Sequence, residues 1–211
     1  MEPKDIVRAG YDMVSFAYRA NDDFDEKREA WLTELAERIP PRARVLDLGC
    51  GCGIPVARWL VDHGFEVSGV DLSSVQIDRA RRLVPQASFV CKDMTQLDLP
   101  ARSVDAITCL WAIIHVPLEE QPSLIQAMHR WLRPGGSLLI TVGRTAWTGT
   151  ENDWCGVAGA TMYWSHEGAD VYHEWLRAAG LEIEWSRFVA EGTGGCTLVL
   201  ATAAGSRSKT D

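Results

Sequence analysis

What the chain lacks narrows its role first. No apolar run approaches the roughly 20 residues that a membrane-spanning helix needs, and the opening MEPKDIVRAGYD has no basic-then-apolar layout of a signal peptide. A cytoplasmic location without a membrane partner is therefore expected. An excess of positive charge is missing too: 21 lysines and arginines stand against 29 aspartates and glutamates, for a net charge of −8. That balance argues against nucleic acid as a partner and favours a small-molecule substrate. The six cysteines (50, 52, 91, 109, 155 and 196) form no Cys-x-x-Cys pair. A zinc site is not expected, and the thiols read as reduced and mostly buried. There is no internal repeat, and only the tail GSRSKTD is of low complexity. The 211 residues, 46% of them apolar, suffice for one well-cored domain.

What is present begins with two amphipathic helices. Ile6, Gly10, Val14 and Ala17 share a face of the first; Phe24, Trp31, Leu32, Leu35 and Ile39 share a face of the second. Asn21–Asp22 is expected to cap the second helix and Pro40–Pro41 to end it. From Arg44 onward, strands at 44–49, 66–71, 87–93, 104–112 and 136–142 alternate with helices near 54–63, 73–83, 119–132 and 167–179. Such alternation means a parallel sheet covered on both faces. Ser73 with Gln76 forms a capping box for one helix, and Gly180 is placed to stop another. Two last strands, 182–190 and 195–202, are divided by EGTGG, so the sheet is expected to finish with an antiparallel strand. The fold class is α/β: a doubly wound, seven-stranded, mostly parallel sheet. Residues 1–40 read as a helical cap, 41–203 as the core with a substrate-side loop at 143–166, and 204–211 as a flexible tail. Trp31, Trp59, Trp131, Trp175 and Trp185 are expected to pack the core.

The stretch VLDLGCGCGIP, Val45–Pro55, places Gly49, Gly51 and Gly53 between a strand and a helix. A dinucleotide site wants G-x-G-x-x-G, but the third position is Ile54 counted from Gly49 and Val56 counted from Gly51. Asp47, Gly49, Gly51 and Gly53 instead match D-x-G-x-G-x-G, and this resembles motif I of the class I S-adenosylmethionine-dependent methyltransferases. Three further stretches are similar to that family: Asp71 closing the second strand, Cys91–Met94 closing the third, and LRPGGSLLIT at 132–141. The resemblance covers 44–142 by motif and 167–203 by topology. It implies a Rossmann-like methyltransferase fold and S-adenosyl-L-methionine as cofactor. Asp71 would accept both ribose hydroxyls, Asp93 the adenine amino group, and Met94 would offer its backbone N–H to the ring. Tyr18, Asp47, Gly49, Cys50, Gly51, Gly53, Leu72, Gln76 and Leu110 complete the expected cofactor set.

The end of the fourth strand reads Cys109-Leu110-Trp111-Ala112. It lacks the [DN]-P-P-[YF] motif of amino-group methyltransferases, and Leu110 and Trp111 offer no oxygen ligands for magnesium, so no metal is expected. The following stretch, IIHVPLEEQPSLIQAMHRWLRPGG, is similar to small-molecule methyltransferases of secondary metabolism. His115 lies at the carboxyl edge of the sheet, where a neutral imidazole could take a proton from the methyl acceptor; His166 is the other candidate. Trp147, Trp154, Tyr163 and Trp164 cluster in the segment after the fifth strand. With Tyr11 and Trp111 they are expected to bind a flat, aromatic or heterocyclic acceptor. Two alternatives stay open: a cyclase or lyase that uses the same cofactor site, and a non-catalytic nucleoside-binding protein.

Overall fold

The computed structural model describes residues 1–22, 26–191 and 194–204. The elements are α1 (Pro3–Tyr18), α2 (Glu26–Ala36), β1 (Arg44–Leu48), α3 (Val56–Asp62), β2 (Glu66–Asp71), α4 (Ser74–Leu83), β3 (Ser88–Cys91), β4 (Val104–Cys109), α5 (Gln121–Trp131), β5 (Leu132–Val142), β6 (Trp147–Glu151), β7 (Met162–His166), α6 (Ala169–Ala178), β8 (Leu181–Glu191) and β9 (Gly194–Ala203). Seven strands form one sheet in the order β3-β2-β1-β4-β5-β9-β8. Pairing is parallel from β3 to β5, and β9 runs antiparallel between β5 and β8. This is the sheet that the sequence predicts.

Side chains alternate across each strand, so an apolar run with helices on both sides feeds two cores. Leu46 and Leu48 of β1 meet Ile125, Met128 and Trp131 of α5 and Tyr172 of α6. Val45 meets Leu32 and Leu35 of α2, Leu60 of α3 and Ile77 of α4 on the opposite face. Of the five tryptophans expected in the core, only Trp131 is fully buried; Trp31, Trp59, Trp175 and Trp185 are half-buried at its margins. The chain leaves β1 toward β2 and β3 on one side, while β4 and β5 lie on the other. A crevice is therefore left at the carboxyl ends of β1 and β4, where open α/β sheets bind ligands.

Several local expectations are corrected. The segment expected as a loop at 143–166 holds a two-stranded ribbon, β6 paired antiparallel with β7 from Trp147↔His166 to Glu151↔Met162. Trp147, Thr148, Thr150, Tyr163 and Trp164 are residue types that favour strands, and Asp153 and Cys155 take left-handed backbone in the connection. Ser165 is thus a buried strand residue bonded to Thr148, and Gly168 precedes the first turn of α6. On α1 the buried face is Val7, Gly10, Val14 and Ser15, and Ala17 is exposed. Gly10 sets this face: a Cβ there would stand 2.5 Å from the Thr161 carbonyl oxygen. Asn21 lies five residues before the described start of α2 at Glu26. It accepts from Arg79 at 2.7 Å, and the same guanidinium donates to the Ser15 hydroxyl and the Arg19 carbonyl, holding the end of α1 on α4. Phe24 and the tail from 205 lie outside the described residues.

Candidate active site

Three glycines of the turn after β1 occupy the left-handed region: Gly49 at φ +70°, Gly51 at +53° and Gly53 at +79°. The Gly49 and Cys50 N–H groups donate to the Val70 carbonyl at 2.8 and 3.0 Å, fastening the turn to β2. A Cβ on Gly49 would stand 2.3 Å from the Ala112 methyl, so the loop after β4 closes on the turn only because this residue is glycine. A Cβ on Gly51 would meet nothing nearer than Gln76 Nε2 at 3.9 Å. That glycine keeps space open. Gly53 faces Val84 and Phe89 and lines neither cavity, which corrects its expected place among the cofactor contacts.

The crevice holds about 680 Å³ of empty space, part of it open to solvent. It brings together Tyr11, Tyr18, Gly49, Gly51, Asp71, Leu72, Gln76, Asp93, Met94, Leu110, Trp111 and His115. An adjoining hollow of about 450 Å³ shares Tyr18, Gly49, Gly51 and Trp111 and adds Asp47 and Cys50. Asp47 accepts from the Thr108 hydroxyl at 2.7 Å through one oxygen, while its other oxygen has no partner. Burial pushes this carboxyl up to about 7. Asp71 accepts from the Gly51 and Ser73 N–H groups, both at 2.9 Å, yet burial outweighs these bonds and raises it to about 6. Gln76 accepts from the Ser15 hydroxyl at 2.8 Å, but its Nε2 is buried without a partner. Ser73 accepts the Gln76 N–H as the capping box requires. At the far end Asp93 is held by Thr95 and by Lys4, whose ammonium lies 2.7 Å away and also meets Glu120. Against burial, the bonds from Lys4 and Thr95 lower the Asp93 pKa.

His115 is buried on the cavity wall in a short 3₁₀ turn after β4. Its Nδ1–H donates to the Tyr163 carbonyl at 2.7 Å, since a carbonyl can only accept. The bare Nε2 then accepts from the Tyr11 hydroxyl at 3.1 Å. Burial lowers its pKa to about 4, so the ring is neutral near pH 7. His166 is placed elsewhere: it lies outside the cavity, with Nδ1 donating to the Thr145 carbonyl at 2.8 Å. The aromatic cluster surrounds the cavity wall rather than forming it. Trp147 is 46% exposed, and Trp154, Tyr163 and Trp164 do not line the cavity. Trp154 packs behind Tyr11 and Tyr18 with ring centroids 5.3 and 5.2 Å away, Trp164 packs on His115 at 4.4 Å, and Tyr163 gives its carbonyl. Sequence reasoning missed Lys4 and Arg28. Lys4 shares a seven-residue spacing with Tyr11 and Tyr18, which places all three on one stripe of α1. The buried Arg28 lies 4.2 Å over the Trp111 ring, itself at φ +53°.

A glycine cradle after β1, with one carboxylate ending β2 and another just past β3, defines a protein that binds a nucleoside cofactor. A family model described as "Methyltransferase domain" matches residues 45–136. Methyltransferase GfsG of Streptomyces halstedii is 31% identical over 91% of this chain and 74% of its own length. The 27-O-demethylrifamycin SV methyltransferase of Amycolatopsis mediterranei (strain S699) is 30% identical over 82% of this chain and 68% of its own. Other curated methyltransferases match over 21–53% of their length, so the chain spans about half of such relatives or less. Among solved structures, the [4+2]-cyclase SpnF superposes with a TM-score of 0.74 at 20% identity, over 97% of this chain and 98% of that one. Others of this fold hold S-adenosylmethionine or S-adenosylhomocysteine. The chain belongs to the class I S-adenosylmethionine-dependent methyltransferase family. Its residues fit the cofactor: the open space over Gly51, the unpaired Asp47 oxygen and the unpaired Gln76 amide face where hydroxyl and amino groups would lie.

Proposed function

We propose that the chain transfers a methyl group to a hydroxyl of a small aromatic or heterocyclic metabolite, of the kind made in secondary metabolism. One observation carries this reading: the bare Nε2 of a neutral, buried His115 faces the cavity and is joined to the Tyr11 hydroxyl. Bound S-adenosylmethionine supplies an electrophilic methyl on a positively charged sulfur. Asp71 would hold the ribose hydroxyls, Asp93 and the Met94 N–H the adenine edge, and Leu72 and Leu110 its faces. Asp47 and Gln76 would engage the methionine end, beside Gly49, Cys50 and Gly51. Tyr18 and Trp111 wall the space left for the acceptor. With the cofactor bound, the methyl would leave its sulfur as the acceptor oxygen takes it, the S–C electron pair staying on sulfur; the acceptor proton would pass to the Tyr11 oxygen and the Tyr11 proton to the bare His115 Nε2. An acceptor that must lose a proton is what this pair suits, and the rifamycin relative is named for a missing O-methyl group.

The test is product analysis with purified protein, cofactor and a panel of phenols and alcohols. The expected result is one S-adenosylhomocysteine for each acceptor that gains a methyl group. A product of rearranged carbon skeleton with the cofactor unconsumed would favour the cyclase reading, for which the SpnF fold is the precedent.

A further inference from the structure

Gln121 opens α5 and is fully buried, an unusual place for a primary amide. Its Nε2 donates to two carbonyls from separate parts of the chain, Val116 and Ser165, each at 2.7 Å. Its Oε1 accepts from the Tyr172 hydroxyl of α6 at 2.5 Å, and Tyr172 is fully buried as well. Both donors of the amide are thus used, and its oxygen is fixed by a phenol. The surroundings are apolar: Ile113, Leu124, Ile125 and Met128 belong to the same core. A Leu or Met would fill such a place without the desolvation cost of about 1–3 kcal/mol that a buried amide must recover through its bonds.

The two carbonyls are not arbitrary. Val116 directly follows His115, and Ser165 stands two residues beyond Tyr163, the carbonyl that accepts from His115 Nδ1–H. Gln121 therefore closes a ring with His115, Val116, Ser165 and Tyr163. The ribbon β6–β7 shares no strand ladder with the seven-stranded sheet. Its register against His115 depends on such side-chain bonds and on packing.

We propose that Gln121, held by Tyr172, is a positioning residue that fixes the ring tautomer of His115. With the ribbon in place, Tyr163 claims the Nδ1 proton and Nε2 stays bare toward Tyr11. If the ribbon slips, the imidazole can carry its proton on Nε2 instead, and that nitrogen then has no lone pair to accept with. The inference rests on the reading of His115 as proton acceptor, but its first consequence is visible without any substrate.

The experiment is nitrogen NMR of His115 in the full chain, which reports the tautomer directly, followed by kcat against pH. Wild type should show the Nδ1–H form. Gln121→Met should show a mixture of tautomers, a kcat lower by roughly tenfold or more, an acid limb shifted downward as the Tyr163 bond that raises the His115 pKa is loosened, and an unchanged Kd for S-adenosylhomocysteine. Tyr172→Phe removes only one hydroxyl and should move the same readouts less; it decides the matter if the Gln121 variant does not fold. A purely Nδ1–H ring in a folded variant overturns the proposal. A changed tautomer with kcat unaltered would leave the positioning role standing and overturn the catalytic reading of His115.

Discussion

Asp71 carries two duties that pull on its proton in opposite directions. Burial raises its pKa from 3.8 to about 6, while the Gly51 and Ser73 N–H groups favour the charged form. Because the folded value lies above the unfolded one, ionising this carboxyl costs stability as pH rises from about 4 through about 6. Ribose hydroxyls donating to the carboxylate would pull the pKa back down, so cofactor binding should release a proton. Calorimetry in buffers of different ionisation enthalpy is predicted to show this release near pH 6, with Kd weakening as pH falls further. Asp71→Asn should remove the part of the release centred near pH 6, leaving that of Asp47 near pH 7, and cost roughly 1.5–3 kcal/mol of binding. An Asn variant that keeps both affinity and the release near pH 6 would remove Asp71 from the cofactor site. The glycines and Asp71 are legible in the sequence because left-handed backbone and a strand-end carboxylate demand particular residue types. The partner of His115 is not, because a backbone carbonyl such as that of Tyr163 leaves no mark on residue identity.

At the scale of elements, α1 roofs the crevice and is fastened at both ends. Lys4 ties its start to Asp93 and Glu120, and Arg79 ties its end to α4. Between them Gly10 lets the helix touch the ribbon. Gly10→Ala would drive a methyl against the Thr161 carbonyl, lifting α1 at a cost of roughly 1–3 kcal/mol despite alanine's better helix propensity. Thermal denaturation should show a lower Tm, and the Kd for cofactor should weaken. A Tm equal to or above wild type would mean that the helix is not seated there. The amphipathic helices and buried strands were readable from their periods. The ribbon was not, because WTGTE and MYWSH carry no apolar alternation and the connection between them holds Gly156 and Gly159. For the same reason the aromatic cluster is legible as one group while the direction of each ring is not: the two faces of β7 are defined only once β7 is known to be a strand.

For the whole molecule, the reversal of strand order between β1 and β4 fixes where everything else must gather. The glycine turn, Asp71 and Asp93 come from the β1–β3 side; Leu110, Trp111 and His115 come from β4, and α1 closes over both. In the proposed function this arrangement would hold the cofactor on one side of the crevice and the acceptor against the Tyr11–His115 pair on the other. Fold likeness alone leaves the reaction open, since a cyclase shares it at a TM-score of 0.74. The most direct test is kcat/KM for methyl transfer to a hydroxyl acceptor in wild type, Tyr11→Phe, His115→Ala and the double variant, with the Kd for S-adenosylhomocysteine measured on each. Each single variant is predicted to lose roughly 10²–10⁴-fold in kcat and the double variant little more, while all keep the cofactor Kd within a few-fold. Single variants that turn over at the wild-type rate would contradict the account, as would losses that simply multiply in the double variant.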